Sequence, residues 1–330
     1  IAEAGVNHNG SPVLAGRLVD AAARAGADAV KFQTFRADLL AGKSAVTARY
    51  QRRGAGGETF QREMLRRLEL SAEEHRVLEA RCRKRGILFL STAFDEAGAD
   101  FLDSLGVPAF KIASGDLTNH PFLSHVARKG KPVILSTGMA TLAEVGEAVR
   151  VLRRTGNRKL VLLHCVSAYP TNPADVNLRA MDTLRRRFRV PTGYSDHTEA
   201  LSVPLAAAAL GAAVIEKHFT LDRSLPGPDQ RMSIEPEELA AFVRGVREVE
   251  ASLGDGVKRP AAVERETAAV ARRSLAAARD LSSGERLDRS ALAVLRPGTG
   301  LPPRLLPALL GRRLNRNVMA GTLLRRGWLR

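Results

Sequence analysis

The sequence predicts a TIM-type (β/α)8 barrel followed by a small, mostly β domain, and three observations carry the prediction. Eight short runs rich in Val, Ile and Leu alternate with longer segments of helical period; the alternation fills about 250 residues; and from Arg273 the pattern changes to short strands and turns. Buried strands each followed by a helix specify a parallel sheet, and eight such units favour a closed barrel over an open sheet.

In chain order the expected strands are Ile1 to Ala4, Ala29 to Thr34, Ile87 to Thr92, Ala109 to Ser114, Val133 to Thr137, Leu160 to Cys165, Pro191 to Ser195 and Ala213 to His218. Helical patterns between them include Pro12 to Ala25, Ala72 to Arg85, Leu142 to Leu152 and Ser202 to Leu210. The first has Ser11 as N-cap, Pro12 at its first position and Gly26 closing it. The segment Ala37 to Gly57 has little apolar periodicity and follows the second strand, so it reads as a lid over the barrel mouth or a plain insertion. A final barrel helix runs from Glu235 to Leu253. The domains are expected as 1–254 for the barrel, 255–272 for a linker and 273–330 for the small domain. The chain opens at Ile1 on a strand already in progress, so it is expected to lack its native first residues.

Composition narrows the function. The longest apolar stretch, Val203 to Ile215, is interrupted by Pro204 and Gly211 and falls short of the roughly 20 residues of a membrane-spanning helix. Two cysteines, Cys82 and Cys165, do not make a disulfide framework, and the composition suggests a cytoplasmic protein. The net charge of +16 is uneven, because Arg272 to Arg330 holds 13 Arg against Asp280, Glu285 and Asp288. That segment lacks the interleaved aromatics of a base-stacking surface, so neither nucleic acid nor membrane is an expected partner.

In such a barrel the chemistry sits at the C-terminal strand ends. There lie Glu3, Lys31, Gln33, Thr92, Lys111, Ser114, Ser136, Thr137, Ser195, His197, Glu216 and His218. Alternation puts Lys31 with Gln33, and Glu216 with His218, on one face each. His197 and His218 come from adjacent strands with Asp196 and Glu216 nearby, a pattern suited to a divalent metal. Lys31 and Lys111 interrupt apolar strands, where an unpaired charge is costly. With Thr92, Ser114, Ser136 and Ser195 they would cradle a phosphate and a carboxylate together. The alternatives are ion pairs with Glu3 or Glu216, or a Schiff-base lysine, which would leave the two histidines unused.

The segments IAEAGVNHNG, AGADAVKFQTF, LSTAFD, KIASGD, PVILSTGMA, YPTNP, GYSDHT, IEKHFT and LPGPDQ follow the order and spacing of the sialic acid synthase (NeuB) family. The tail, RRSL with RPGTGL, resembles that family's antifreeze-protein-like (SAF) domain, so the resemblance covers essentially the whole chain. It implies condensation of phosphoenolpyruvate with an N-acylated mannosamine-type sugar to a nine-carbon 2-keto acid, dependent on Mn2+ or Mg2+. By motif, His197 and His218 would bind metal. Lys31, Thr92, Lys111, Ser114, Ser136 and Ser195 would hold phosphoenolpyruvate, and Gln33, Tyr169, Glu216 and Asp229 the sugar. Glu3 matches a glutamate beside the reacting carbons, and Glu3 or Asp116 would take a proton from water. The resemblance also implies a homodimer in which Arg296 of one subunit caps the partner's barrel. Asp116, Ser167 and Gln230 depart from the commoner Glu, Asn and His of relatives. The acceptor could equally be a 6-deoxy diacetamido sugar, as for legionaminic or pseudaminic acids, or a sugar 6-phosphate, and LPGPDQ fits the pseudaminic branch least. A barrel reduced to a binding module is the non-enzymatic alternative, against which every reactive position is filled by a competent side chain.

Overall fold

Each of the eight apolar runs forms a strand, and the strands pair in parallel in chain order, the eighth closing on the first. They are β1 (Ala2–Gly5), β2 (Ala29–Thr34), β3 (Leu88–Ala93), β4 (Phe110–Ile112), β5 (Val133–Ser136), β6 (Leu160–Cys165), β7 (Thr192–Asp196) and β8 (Ile215–His218). The structure is a computed structural model and describes residues 1–48 and 60–330. Of the segment read as a lid, residues 37–48 are described: a short helix, Ala37–Leu40, and a bridge from Val46 to Phe60. The rest of it lies outside the described residues.

Local chemistry sets the helix ends. Helix α1 (Pro12–Arg24) starts at Ser11, whose hydroxyl accepts from Leu14 N at 3.3 Å, and it buries Ala15, Leu18, Val19 and Ala22 at the spacing of one helical face. Two helices farther on start with reciprocal capping boxes, Ser71 with Glu74 and Thr141 with Glu144. β4 is shorter than its apolar run because Ser114, Gly115 and Asp116 wind into a one-turn 3-10 helix.

Strand register aligns the polar strand ends. Glu3 pairs with Lys31 on one side and His218 on the other; Thr92 pairs with Lys111, and Ser195 with Glu216. Close approach of β7 to β8 needs Gly193, since a Cβ there would strike the carbonyl of Val214.

The chain divides into two compact units, Ile1–Gly254 and Asp255–Arg330. In the second, β9 (Ser274–Ala277) and β10 (Leu292–Leu295) pair antiparallel over a core that includes Leu275, Leu287, Leu314 and Leu324. The stretch expected as a linker is structured within this unit. It holds the helix Arg265–Ala271, whose Ala269 carbonyl accepts from Gly298 N at 2.7 Å. Among the described residues no helix is long and apolar enough to cross a membrane.

Candidate active site

A cavity of about 480 Å³ opens at the C-terminal ends of the strands. Glu3, Lys31, Gln33, Thr92, Lys111, Ser114, Ser136, Tyr169, Ser195, His197, Glu216, His218 and Asp229 all line it, so the residues expected to act together do share one space. Asp116 and Arg296 do not line it. Asp116 sits in the turn after β4 and accepts from Asn119 Nδ2 at 3.2 Å, so of the two carboxyls expected to take a proton only Glu3 faces the cavity. Arg296 is an exposed residue of the second unit. Asp196 was expected beside the histidines, but strand alternation sends it to the other face.

The cavity floor is a cluster of buried charges. Lys31 Nζ lies 2.6 Å from Glu3 and donates to Thr92 Oγ1 at 2.8 Å, while Lys111 Nζ lies 3.3 Å from Glu216. The ion-pair alternative for both lysines is therefore present in the structure. Burial pushes the Glu3 carboxyl up to about 7, with Lys31 only partly opposing it and Glu216 adding to it. Burial acts on Glu216 in the same sense, but the charges of Lys111 and Lys31 overcome it and hold that carboxyl down to about 2. Two carboxyls a few ångströms from the same lysine thus have their proton affinities pushed in opposite directions, the pattern that suits dividing acid and base work. Burial also works against Lys31, yet Glu216 and Glu3 raise its pKa, whereas Lys111 is lowered by burial.

Above the floor, the imidazoles of His197 and His218 are 5.6 Å apart, and Tyr169 leans on His197 at 4.1 Å between centroids. His197 Nδ1 faces the carbonyl of Val166 at 2.7 Å; a carbonyl only accepts, so Nδ1 carries the proton and Nε2 keeps its lone pair. Burial lowers the pKa of His197 and, with His197 and Lys31 adding, holds His218 well below the ordinary range. His218 Nδ1 and Ser136 Oγ are buried without a hydrogen bond. Two neutral imidazoles, one with an unmatched nitrogen, fit a divalent transition ion that takes its other ligands from substrate and water. No third His, Cys, Asp or Glu among the described residues completes a ligand cluster.

Sequence reasoning missed one whole wall. Val6, Leu40, Met64, Leu65, Leu68 and Phe94 line the cavity, most of them from an apolar cluster built around the helices Ala37–Leu40 and Gln61–Arg66. Their signal was weak because they flank the aperiodic insertion. Cys165 was also missed as a lining residue, whereas Ser167, noted for its departure from relatives, does line the cavity. Ser114 Oγ accepts from Gly138 N at 2.9 Å, and any side chain at Gly138 would press into Ser167 and Ser114. Asp229, closed in by burial, has its carboxyl pushed up to about 6.

Residues 18–258 match the family model of the NeuB family and residues 272–327 that of the SAF domain. The N,N'-diacetyllegionaminic acid synthase of Legionella pneumophila is 50% identical over 328 residues, covering 98% of this chain and 92% of that protein. Human N-acetylneuraminate-9-phosphate synthase is 39% identical over 259 residues, 78% of this chain and 72% of that protein. A crystal structure of the N-acetylneuraminic acid (sialic acid) synthetase of Leptospira borgpetersenii, in complex with citrate, superposes with a TM-score of 0.72 at 39% identity, covering 81% of this chain and 88% of that one. A barrel whose strand-end residues converge in one cavity, matched along its length by named synthases, is thus an enzyme, and the chain belongs to the NeuB family.

Proposed function

We propose that the protein condenses phosphoenolpyruvate with an N-acylated hexosamine, N-acetylmannosamine or a close analogue, giving a nine-carbon 2-keto acid of the N-acetylneuraminate type and phosphate. The observation that carries this reading is the pair of buried lysines that share one cavity with two carboxyls and two imidazoles. Phosphoenolpyruvate brings a carboxylate and a phosphate, the charges Lys31 and Lys111 can exchange for their internal partners. The hydroxyls of Thr92, Ser136 and Ser195, with Ser114, would fix its orientation. Its C3 then bonds to the aldehyde carbon of the open-chain sugar, whose C=O π pair moves to the oxygen. Water adds at C2, giving one proton to ionised Glu3, which passes it to that oxygen, and the tetrahedral centre collapses by breaking the C2–O bond to phosphate, which leaves with the remaining hydroxyl proton. Gln33, Tyr169, Glu216 and Asp229 would hold the sugar. His197 and His218 would hold Mn2+ or Mg2+, which when bound polarises the sugar's aldehyde as a Lewis acid.

The test is phosphate release from phosphoenolpyruvate with Mn2+ and a panel of acceptors: N-acetylmannosamine, its 6-phosphate and a 6-deoxy diacetamido sugar. Release with none of them overturns the reading. Borohydride treatment with substrates present is expected to leave Lys31 and Lys111 unmodified, and a reduced adduct would move the protein to the Schiff-base aldolases. A homodimer with Arg296 acting in trans is part of the proposal: mixed Arg296→Ala and His218→Ala subunits are expected to regain activity, and an inactive hybrid removes that part.

A second reading has its own support. The apolar wall of Val6, Leu40, Met64, Leu65, Leu68 and Phe94 suits a methyl group and an additional acyl group, and a 50% identical relative is named for diacetyllegionaminic acid. On that reading the 6-deoxy diacetamido sugar is the best acceptor in the same panel.

A further inference from the structure

Asp196 and Lys217 are register partners on β7 and β8, each one residue before a cavity histidine. Their inward neighbours, Ser195 and Glu216, line the cavity; they themselves do not. Their side chains are 0% and 2% exposed, and Lys217 Nζ meets Asp196 Oδ2 at 2.5 Å. The second carboxylate oxygen is fully used as well. Asp196 Oδ1 accepts from Tyr194 Oη at 3.0 Å and from both N and Oγ1 of Thr198 at 2.9 Å. Lys217 Nζ also donates to the carbonyl of Thr198 at 2.7 Å. The backbone is therefore tied down on both sides of His197, and the tie is made by the residue that precedes His218.

Burying two full charges gives little net stability compared with apolar side chains of the same volume. What a satisfied pair does give is a single relative position of the two chains it joins. Here those chains are the ends that present the two imidazoles, whose own Nδ1 contacts are the Val166 carbonyl and Cys165 Sγ for His197 and none for His218. Neither ring has a carboxylate behind it to fix its direction, so the strand ends have to do so.

We propose that Asp196 and Lys217 are positioning residues, an outward-facing staple that holds His197 and His218 at the separation a divalent cation requires. The inference rests on the two-histidine reading above. It predicts that metal affinity, and not the anion site, responds when the staple is cut.

The experiment titrates full-length protein with Mn2+, following the free ion by its electron paramagnetic resonance, and measures phosphoenolpyruvate binding separately without metal. Lys217→Met and Asp196→Asn are expected to raise the Mn2+ dissociation constant about 10- to 100-fold, the usual effect of removing a group that orients a ligand. Phosphoenolpyruvate affinity is expected to stay at the wild-type value, and Lys217→Arg to recover part of the Mn2+ affinity. A folded Lys217→Met protein with unchanged Mn2+ affinity overturns the proposal, as does equal weakening of both ligands, the sign of general loosening. If Lys217→Met does not fold, Thr198→Val, which removes one hydroxyl from Asp196, takes its place: a raised Mn2+ constant supports the staple and an unchanged one overturns it. A wild-type protein that binds no Mn2+ removes the two-histidine reading itself, and the staple with it.

Discussion

The same strands carry buried charge on both faces, and the two sets are finished differently. On the inner face Glu3, Lys31, Lys111 and Glu216 share one cavity with Ser136 Oγ and His218 Nδ1, which are buried without hydrogen bonds. On the outer face of β7 and β8, both oxygens of Asp196 and the ammonium of Lys217 are bonded. A buried polar atom left unmatched is costly, so the inner set is built for a group that arrives from outside, whereas the outer set is complete by itself.

The comparison breaks most sharply at the histidines. His197→Ala or His218→Ala is expected to abolish phosphate release, and His218→Ala to leave thermal unfolding close to wild type because its Nδ1 makes no hydrogen bond, whereas His197→Ala also loses the bond to the Val166 carbonyl. Near wild-type turnover in either variant with a chelator present would dissolve the distinction.

Glu3 comes next. Glu3→Gln is expected to lower kcat by about 10²- to 10⁴-fold, the range for a lost general base. The base must be ionised, and its carboxyl is raised from 4.5 to about 7, so turnover should fall as pH drops below about 7. Stability carries the opposite sign. Between pH 4.5 and 7 the folded protein holds a proton that the unfolded chain releases, so stability declines as pH rises through that window. Denaturant midpoints across that range, wild type against Glu3→Gln, check this, and a parallel pH dependence in the two proteins would remove Glu3 from the base role.

How much of this was open to the sequence depends on whether the signal was local. The eight strands, the caps at Ser11 and the inward pairs Lys31/Gln33 and Glu216/His218 follow from apolar runs and alternation, and the structure has them. Alternation also puts Lys217 opposite Glu216 and Asp196 opposite Ser195, but that the two outward residues meet follows only from the β7–β8 register. The apolar wall was illegible for a similar reason, since Met64, Leu65 and Leu68 gain meaning only by packing with Val6 and Phe35 from distant segments. Asp116, named from its motif as one of two possible proton acceptors, lies in the 3-10 turn that ends β4 and does not line the cavity, a placement that no apolar run announces.

The outer pair predicts a smaller and purely structural asymmetry. Lys217→Met alone leaves Asp196 buried and uncompensated, which is expected to cost about 3–5 kcal/mol. Replacing both, as Lys217→Met with Asp196→Leu, should cost less than either single change, because no lone charge remains. Urea midpoints of the singles and the double decide it. Additive costs would mean that the two side chains do not act as a pair.

The smallest effect is expected where charges are paired but wet, which makes the surface the control for both faces of the barrel. Asp20 of α1 accepts from Arg81 at 3.0 and 2.6 Å and from Arg85 at 2.8 Å, both on the helix Ala72–Arg85. Arg81 above all, with Arg85, holds the Asp20 carboxyl well below the ordinary range. A carboxyl depressed in this way stabilises above its unfolded pKa, and the gain disappears as pH falls through the folded value. The arginines are 41% and 48% exposed, however, so water and salt screen the attraction and the net value is about 1 kcal/mol or less. Asp20→Asn should therefore lower the melting temperature of the barrel by about 2–4 °C at low salt, and by less at high salt. A loss as large as that of Lys217→Met, insensitive to salt, would mean that the helix pair and not the strand ends holds this barrel's costly charges.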